Sequence, residues 1–186
     1  MKRILLWTLA LCAAAALDAS AQSSGGVYTG MVTGHVGAVT GGDLSDPRAN
    51  VGASVAVHEQ TGWGAEIDFG HASNATSGRQ VLDVTSYMVS AIWARPMGLI
   101  RPFGNAGAGI LQVNGCDSPC GVAARTYDFG VSAGGGAFVA LNDVAALRAD
   151  LRYFWSSADH VDLRRPDNFN YWRLSIGATF IWTLAP

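Results

Sequence analysis

The chain has 186 residues, a formal net charge of −2 and only 14% charged side chains, a balance that argues against a nucleic-acid partner. Its 23 glycines lie well above the roughly 7% of an average domain, and past the N-terminal segment no stretch is apolar enough for a membrane helix. Two classes remain, a secreted soluble β-protein and a membrane β-barrel.

Lys2 and Arg3, the apolar run 4–17 and Ala19-Ser20-Ala21 form a secretory signal, with cleavage expected before Gln22 and a single domain expected over 22–186. The apolar run is too short to span a bilayer as a helix. Cys12 follows Leu11 rather than the small residue that a lipoprotein cysteine needs, so it is expected to leave with residues 1–21.

Eight segments then alternate with period two, the mark of strands with unlike faces. In 27–39, Tyr28, Val32, Val36 and Ala38 oppose Thr29, Thr33, His35 and Gly37. After a Gly/Asp/Pro spacer (41–47), Val51, Ala53, Val55 and Val57 oppose Gly52, Ser54, Ala56 and His58. A tight turn at 59–62 leads to the clearest internal strand, where Trp63, Ala65, Ile67 and Phe69 oppose Gly64, Glu66, Asp68 and Gly70. A polar loop is expected at 71–80, and in the fourth strand (81–94) Tyr87, Val89, Ala91 and Trp93 oppose Ser86, Met88, Ser90 and Ile92. The fifth strand, 101–111, is too glycine-rich to show its faces. A loop at 112–125 precedes a sixth strand in which Tyr127, Phe129, Val131, Ala133, Ala137 and Val139 oppose Asp128, Gly130, Ser132, Gly134 and Gly136. In the seventh, Leu147, Ala149, Leu151, Tyr153 and Trp155 oppose Arg148, Asp150 and Arg152. After a loop at 156–169, the eighth strand (170–184) sets Trp172, Leu174, Ile176, Ala178, Phe180, Trp182 and Leu184 against Arg173, Ser175, Gly177, Thr179 and Thr183.

Strands of about 9–14 residues cross a bilayer at a tilt, whereas soluble strands average nearer 5–6. Long spacers follow strands one, three, five and seven, and short turns follow two, four and six, as in outer-membrane barrels with short periplasmic turns and longer external loops. Aromatics gather at the strand ends: Tyr28, Trp63, Trp93 and Trp182 toward the short turns, and Phe69, Tyr127, Tyr153, Trp155 and Trp172 toward the long loops. Interfacial girdles explain that placement, and a buried aromatic core does not. The expectation is an all-β, eight-stranded, antiparallel up-and-down transmembrane barrel.

With apolar faces on lipid, Glu66, Asp68, Asp128, Arg148, Asp150, Arg152 and Arg173 point inward, joined by His35 and His58. Charges in a narrow barrel must be paired to be tolerable, so the set reads as a charge network that plugs the lumen. Eight strands enclose only enough room for side chains, which disfavours the rival reading of a small channel. Cys116 and Cys120 bracket a Pro-containing turn in a region expected to lie in an oxidising compartment, and a disulfide is expected; no metal or cofactor is expected. The mixed-charge loop with Asp159, His160, Asp162, Arg164, Arg165 and Asp167 reads as a solvated surface open to external contacts.

Ser175-x-Gly177-x-x-Phe180-x-Trp182 is similar to the terminal-strand signal read by the outer-membrane barrel-assembly machinery. His71-Ala72-Ser73-Asn74 resembles the H-x-S-N motif of outer-membrane lipid A deacylases, which implies His71, Ser73 and the following acid Asp83 as a hydrolytic triad. That family carries its motif late in the chain and uses glutamate at another spacing, so catalysis stays the secondary reading. Together with Gly62-Trp63-Gly64-Ala65-Glu66, the 101–109 segment and the 147–154 segment, the chain resembles the OmpA/OmpX-like superfamily, especially its porin-family and opacity-type surface proteins. The resemblance implies a monomeric, non-enzymatic protein of the outer membrane, in contact with its lipid and lipopolysaccharide, with an envelope-structural or surface-interaction role.

Overall fold

A computed structural model describes residues 28–77, 80–95, 98–116, 123–157 and 168–184. Eight strands follow one another in chain order: β1 (Tyr28–Gly41), β2 (Leu44–Glu59), β3 (Trp63–Ser77), β4 (Gln80–Ala94), β5 (Ile100–Cys116), β6 (Ala123–Asn142), β7 (Ala145–Ser157) and β8 (Asn168–Leu184). Each pairs antiparallel with its neighbours, and β8 pairs with β1 to close the barrel. Closure leaves no unpaired edge in the lipid zone, which any sheet in hydrocarbon requires.

Register fixes the barrel's dimensions. Across the ladders, Thr29 leads to His58, Gly64, Ile92, Asn105, Gly134, Arg152, Arg173 and back to β1 at Val39. The circuit returns displaced from Thr29 to Val39, a shear of ten residues. With about 3.3 Å per residue and about 4.8 Å between strands, eight strands at that shear tilt by about 40°, within the range of membrane barrels.

The faces sort as the alternation predicts. Val32, Val36, Val51, Val55, Ile67, Val89, Val131, Leu147, Leu174, Ile176 and Phe180 are exposed on the outside. Aromatic pairs stand at both margins of this band. Trp63 and Trp93 sit 6.5 Å apart at the short-turn end, while Phe69–Tyr87 (5.3 Å) and Tyr153–Trp172 (4.9 Å) lie toward the opposite rim. Residues of opposite parity are buried inside, including those of the glycine-rich β5, where Phe103, Asn105, Leu111 and Val113 face inward.

The strand ends differ from the sequence expectation. The 41–47 spacer shrinks to a turn at Gly42-Asp43, with Gly41 and Gly42 at φ +70° and +62°. The 71–80 segment continues β3 to Ser77, and the expected loops 112–125 and 156–169 give up residues to β5, β6, β7 and β8. The hydrogen-bonded ladder runs on beyond the apolar outer band. Ala72, Val113, Ser156 and Phe169 stay buried inside, while outward positions there carry polar side chains such as His71, Ser73, Gln112 and Asn170. The apolar-out pattern that marks a strand in lipid therefore disappears.

Candidate functional site

The interior is filled in three layers. The short-turn end is closed by Met31, Ala56, Ile92, Ala94, Phe103, Phe138 and Ala146. The loop end is closed by Val39, Leu44, Ala72, Val84, Met88, Leu111, Val113, Phe154, Phe169 and Tyr171. Between them lies a belt of buried charge formed by Glu66, Asp68, Arg148, Asp150, Arg152 and Arg173.

Within the belt, β7 provides Arg148, Asp150 and Arg152 at alternate positions on one face, and β3 provides Glu66 and Asp68 in the same way. Arg148 Nη2 donates to Asp150 Oδ2 at 2.6 Å and to Glu66 Oε2 at 3.1 Å, and its Nη1 donates to Ser54 Oγ at 3.3 Å. Arg152 Nε donates to Asp150 Oδ1 at 2.9 Å, and its Nη2 to Glu66 Oε1 at 2.7 Å. From β8, Arg173 Nη2 donates to Asp68 Oδ1 at 2.7 Å, and Arg152 Nη1 lies 3.7 Å from the same oxygen. Charge-assisted bonds this short are the strong class. Three arginines balance three carboxylates, and Glu66 is shared by two guanidiniums.

Aromatic rings bracket the belt. Arg148 lies 4.6 Å above the Phe103 ring and 5.2 Å from that of Phe138, and Arg173 lies 5.0 Å from the Phe154 ring. These contacts add cation–π attraction to the ion pairs and couple the charged layer to both apolar layers. Sequence reasoning missed the rings because it read the inward parity as polar. The available signal was Phe138 after Gly134 and Gly136, and Phe154 after Arg152, each continuing an inward run.

The remaining candidates divide between the lumen and the outer face. Asp128 is inward and buried, but it sits opposite Leu111 toward the loop-side mouth. His35 and His58 are buried inside. Gly177 stands in register between His35 of β1 and Arg148 of β7, and a Cβ there would meet the Gly34 carbonyl oxygen and the side chains of His35 and Thr33. Phe180 and Trp182 stack on the outer face, 6.1 Å apart.

His71 occupies the outward face of β3, and its Nδ1 lies 2.9 Å from Thr85 Oγ1. Ser73 is exposed at a bulge, where the register shifts between Ala72 and Ala75, and Asp83 stands across from that bulge on β4. A triad needs histidine between serine and acid. Here one ring nitrogen is engaged by threonine instead. Cys116 ends β5, while Cys120 and the charged residues of 159–167 lie outside the described residues. Among the described residues no group of three His, Cys, Asp or Glu side chains is placed to hold a metal.

A closed eight-stranded barrel with an apolar outer belt is shared by a defined family. The family model described as outer membrane protein beta-barrel domain matches residues 4–180. The chain belongs to this family. Outer membrane is therefore its location. Its fold is similar to solved structures at low sequence identity. Neisserial surface protein A is 14% identical with a TM-score of 0.59, over 83% of this chain and 96% of that one. The N-terminal β-barrel domain of Pseudomonas aeruginosa OprF is 13% identical with a TM-score of 0.60, over 84% and 99%. Ail, the attachment invasion locus protein of Yersinia pestis, solved in complex with the heparin analogue sucrose octasulfate, is 15% identical with a TM-score of 0.56, over 84% and 99%. No sequence among the curated proteins matches.

Proposed function

We propose that this outer-membrane barrel is a non-enzymatic envelope protein whose lumen is a sealed plug, leaving the loop-side surface to make external contacts. The observation that carries the reading is the layered interior, a paired charge belt closed above and below by apolar side chains. An ion crossing it would have to displace Phe103 and Phe138 at one end and Phe154 and Tyr171 at the other, and break arginine–carboxylate pairs between. A hydrolase is less well supported, because His71 directs a ring nitrogen to Thr85 and Ser73 lies exposed at a bulge.

The same reading includes export by a signal removed before Gln22, delivery through the Gly177, Phe180 and Trp182 signal to the barrel-assembly machinery, a disulfide between Cys116 and Cys120, and a monomer surrounded by outer-membrane lipid and lipopolysaccharide. Arg148→Ala tests the plug. Removing one partner of a buried ion-pair cluster costs about 3 kcal/mol or more. The expected outcome is a lowered urea midpoint with little change in single-channel conductance in planar bilayers. A large conductance gain with unchanged unfolding would overturn the plug.

A further inference from the structure

The β1–β2 turn is tied to a strand it does not belong to. Asp43 N donates to Asn170 O of β8 at 2.9 Å. In return Asp43 Oδ2 accepts from the Asn170 backbone N at 2.8 Å and from its Nδ2 at 2.9 Å. The approach is close enough that a Cβ at Gly42 would run into Asn170. Both Gly41 and Gly42 hold left-handed φ values, which non-glycine residues rarely adopt.

Directly after this clamp, Leu44 is 4% exposed and joins the apolar layer of Val39, Phe169 and Tyr171. The next residues leave the ladder: pairing jumps from Gly41↔Leu44 to Val39↔Arg48, and Ser45, Asp46 and Pro47 are exposed. Thus the Asp43–Asn170 bonds and the Leu44 side chain hold the tip of the hairpin between a glycine pair and an irregular stretch of β2.

We propose that this turn is a hinged latch over the loop-side mouth, with the Asp43–Asn170 contact as its bolt and Leu44 as its stopper. Unbolting lets 42–47 swing on Gly41-Gly42 and uncovers Phe169 and Tyr171 as a shallow outer vestibule, while the charge belt beneath stays shut. The inference rests on the sealed-lumen reading, and it can be tested separately from it.

The experiment is methyl and amide NMR of the full mature chain in phospholipid nanodiscs, on the parent protein, Asp43→Ala and Asn170→Ala. In the parent, the Leu44 methyls should show ring-current shifts and cross-peaks to Phe169 and Tyr171. Asp43→Ala, which removes both carboxylate bonds, should lose those cross-peaks, and its residue-43 amide should exchange at least tenfold faster. Asn170→Ala, which keeps the backbone bonds, should weaken the cross-peaks less, and in both the unheated band on a denaturing gel stays compact. Cross-peaks retained at full strength in folded Asp43→Ala would overturn the latch. Conductance separates the two readings. Free Leu44 in Asp43→Ala together with a conducting, stable Arg148→Ala sinks the plug and keeps the latch. Retained Leu44 contacts with a silent Arg148→Ala do the reverse.

Discussion

Two walls of the same barrel fill the lumen in opposite ways. The β7–β8 wall sends in Arg148, Asp150, Arg152, Phe154, Tyr171 and Arg173, all buried. The β5–β6 wall presents Gly107, Gly109, Gly130, Gly134 and Gly136 at inward positions. A side chain added to any of these glycines would meet an occupied site: Ser90 at Gly107, Met88 at Gly109, Leu111 at Gly130, Arg152 at Gly134 and Phe103 at Gly136. At Gly134 the space is taken by Arg152 of the first wall, and at the other four glycines by side chains of β4 and β5. Eight strands leave only enough room for side chains to fill the bore, so arginines projected from one wall call for inward positions such as Gly134 that project nothing, while Phe103, Leu111 and Phe138 of the β5–β6 wall fill the two ends.

The largest test of this division removes the carboxylate on which the dense wall converges. Glu66 accepts from Arg148 and from Arg152 and is 1% exposed. Glu66→Ala leaves both guanidiniums buried with one acid fewer between them. The expected loss is toward the upper end of the 3–5 kcal/mol typical of a broken buried pair, read as a shift in the urea midpoint of the barrel in detergent. A change below about 1 kcal/mol would mean that water already enters the belt and solvates the arginines.

A smaller effect is expected when the glycine-lined stretch of the β5–β6 wall is filled. In Gly134→Ala the new methyl would meet the Leu151 carbonyl and the stem of Arg152. Overpacking a tight interior costs about 1–3 kcal/mol, so the same urea titration should show a lesser drop, and refolding into lipid should leave a larger fraction that still migrates as unfolded chain. A neutral Gly134→Ala would show that the Leu151 carbonyl and the Arg152 stem can both move aside, and that the space is slack rather than structural.

The difference between the walls also marks what could be read in advance. β3 and β8 were legible because each side of the strand meets a different medium: Ile67 and Ile176 face lipid, while Asp68 and Arg173 face the lumen. For the belt, alternation assigned the charged side chains to one parity. It could not say that Arg148 and Arg152 of β7 reach Glu66 of β3, since those partners are set by the shear of the closed barrel and the length of an arginine. β5 was opaque because Gly104, Ala106 and Ala108 on one face differ little from Gly107 and Gly109 on the other. Phe103, Phe138 and Phe154 were missed for a related reason. A lumen needs apolar layers to seal it, and the rule that inward means polar has no place for them.

The smallest effect should come from a glycine on the outside. Gly34 lies on β1 facing lipid, and nothing stands within 4 Å of a Cβ added there. Its cross-strand partner on β8 is Ala178, so this stretch of the outer surface is low, with Val36 and Ile176 exposed beside it. Gly34→Leu adds an apolar side chain to open hydrocarbon and removes a flexible glycine from a strand, where glycine is a poor former. Both changes favour the folded barrel, and neither moves an atom of the charge belt. A shift within about 0.5 kcal/mol of the parent, or slightly upward, is expected in the titration that registers Gly134→Ala as a loss. If Gly34→Leu destabilised as much as Gly134→Ala, the penalty would belong to replacing any glycine in these strands. The contrast between filled and unfilled walls would then lose its physical basis, because it rests on what occupies the space beyond each Cα.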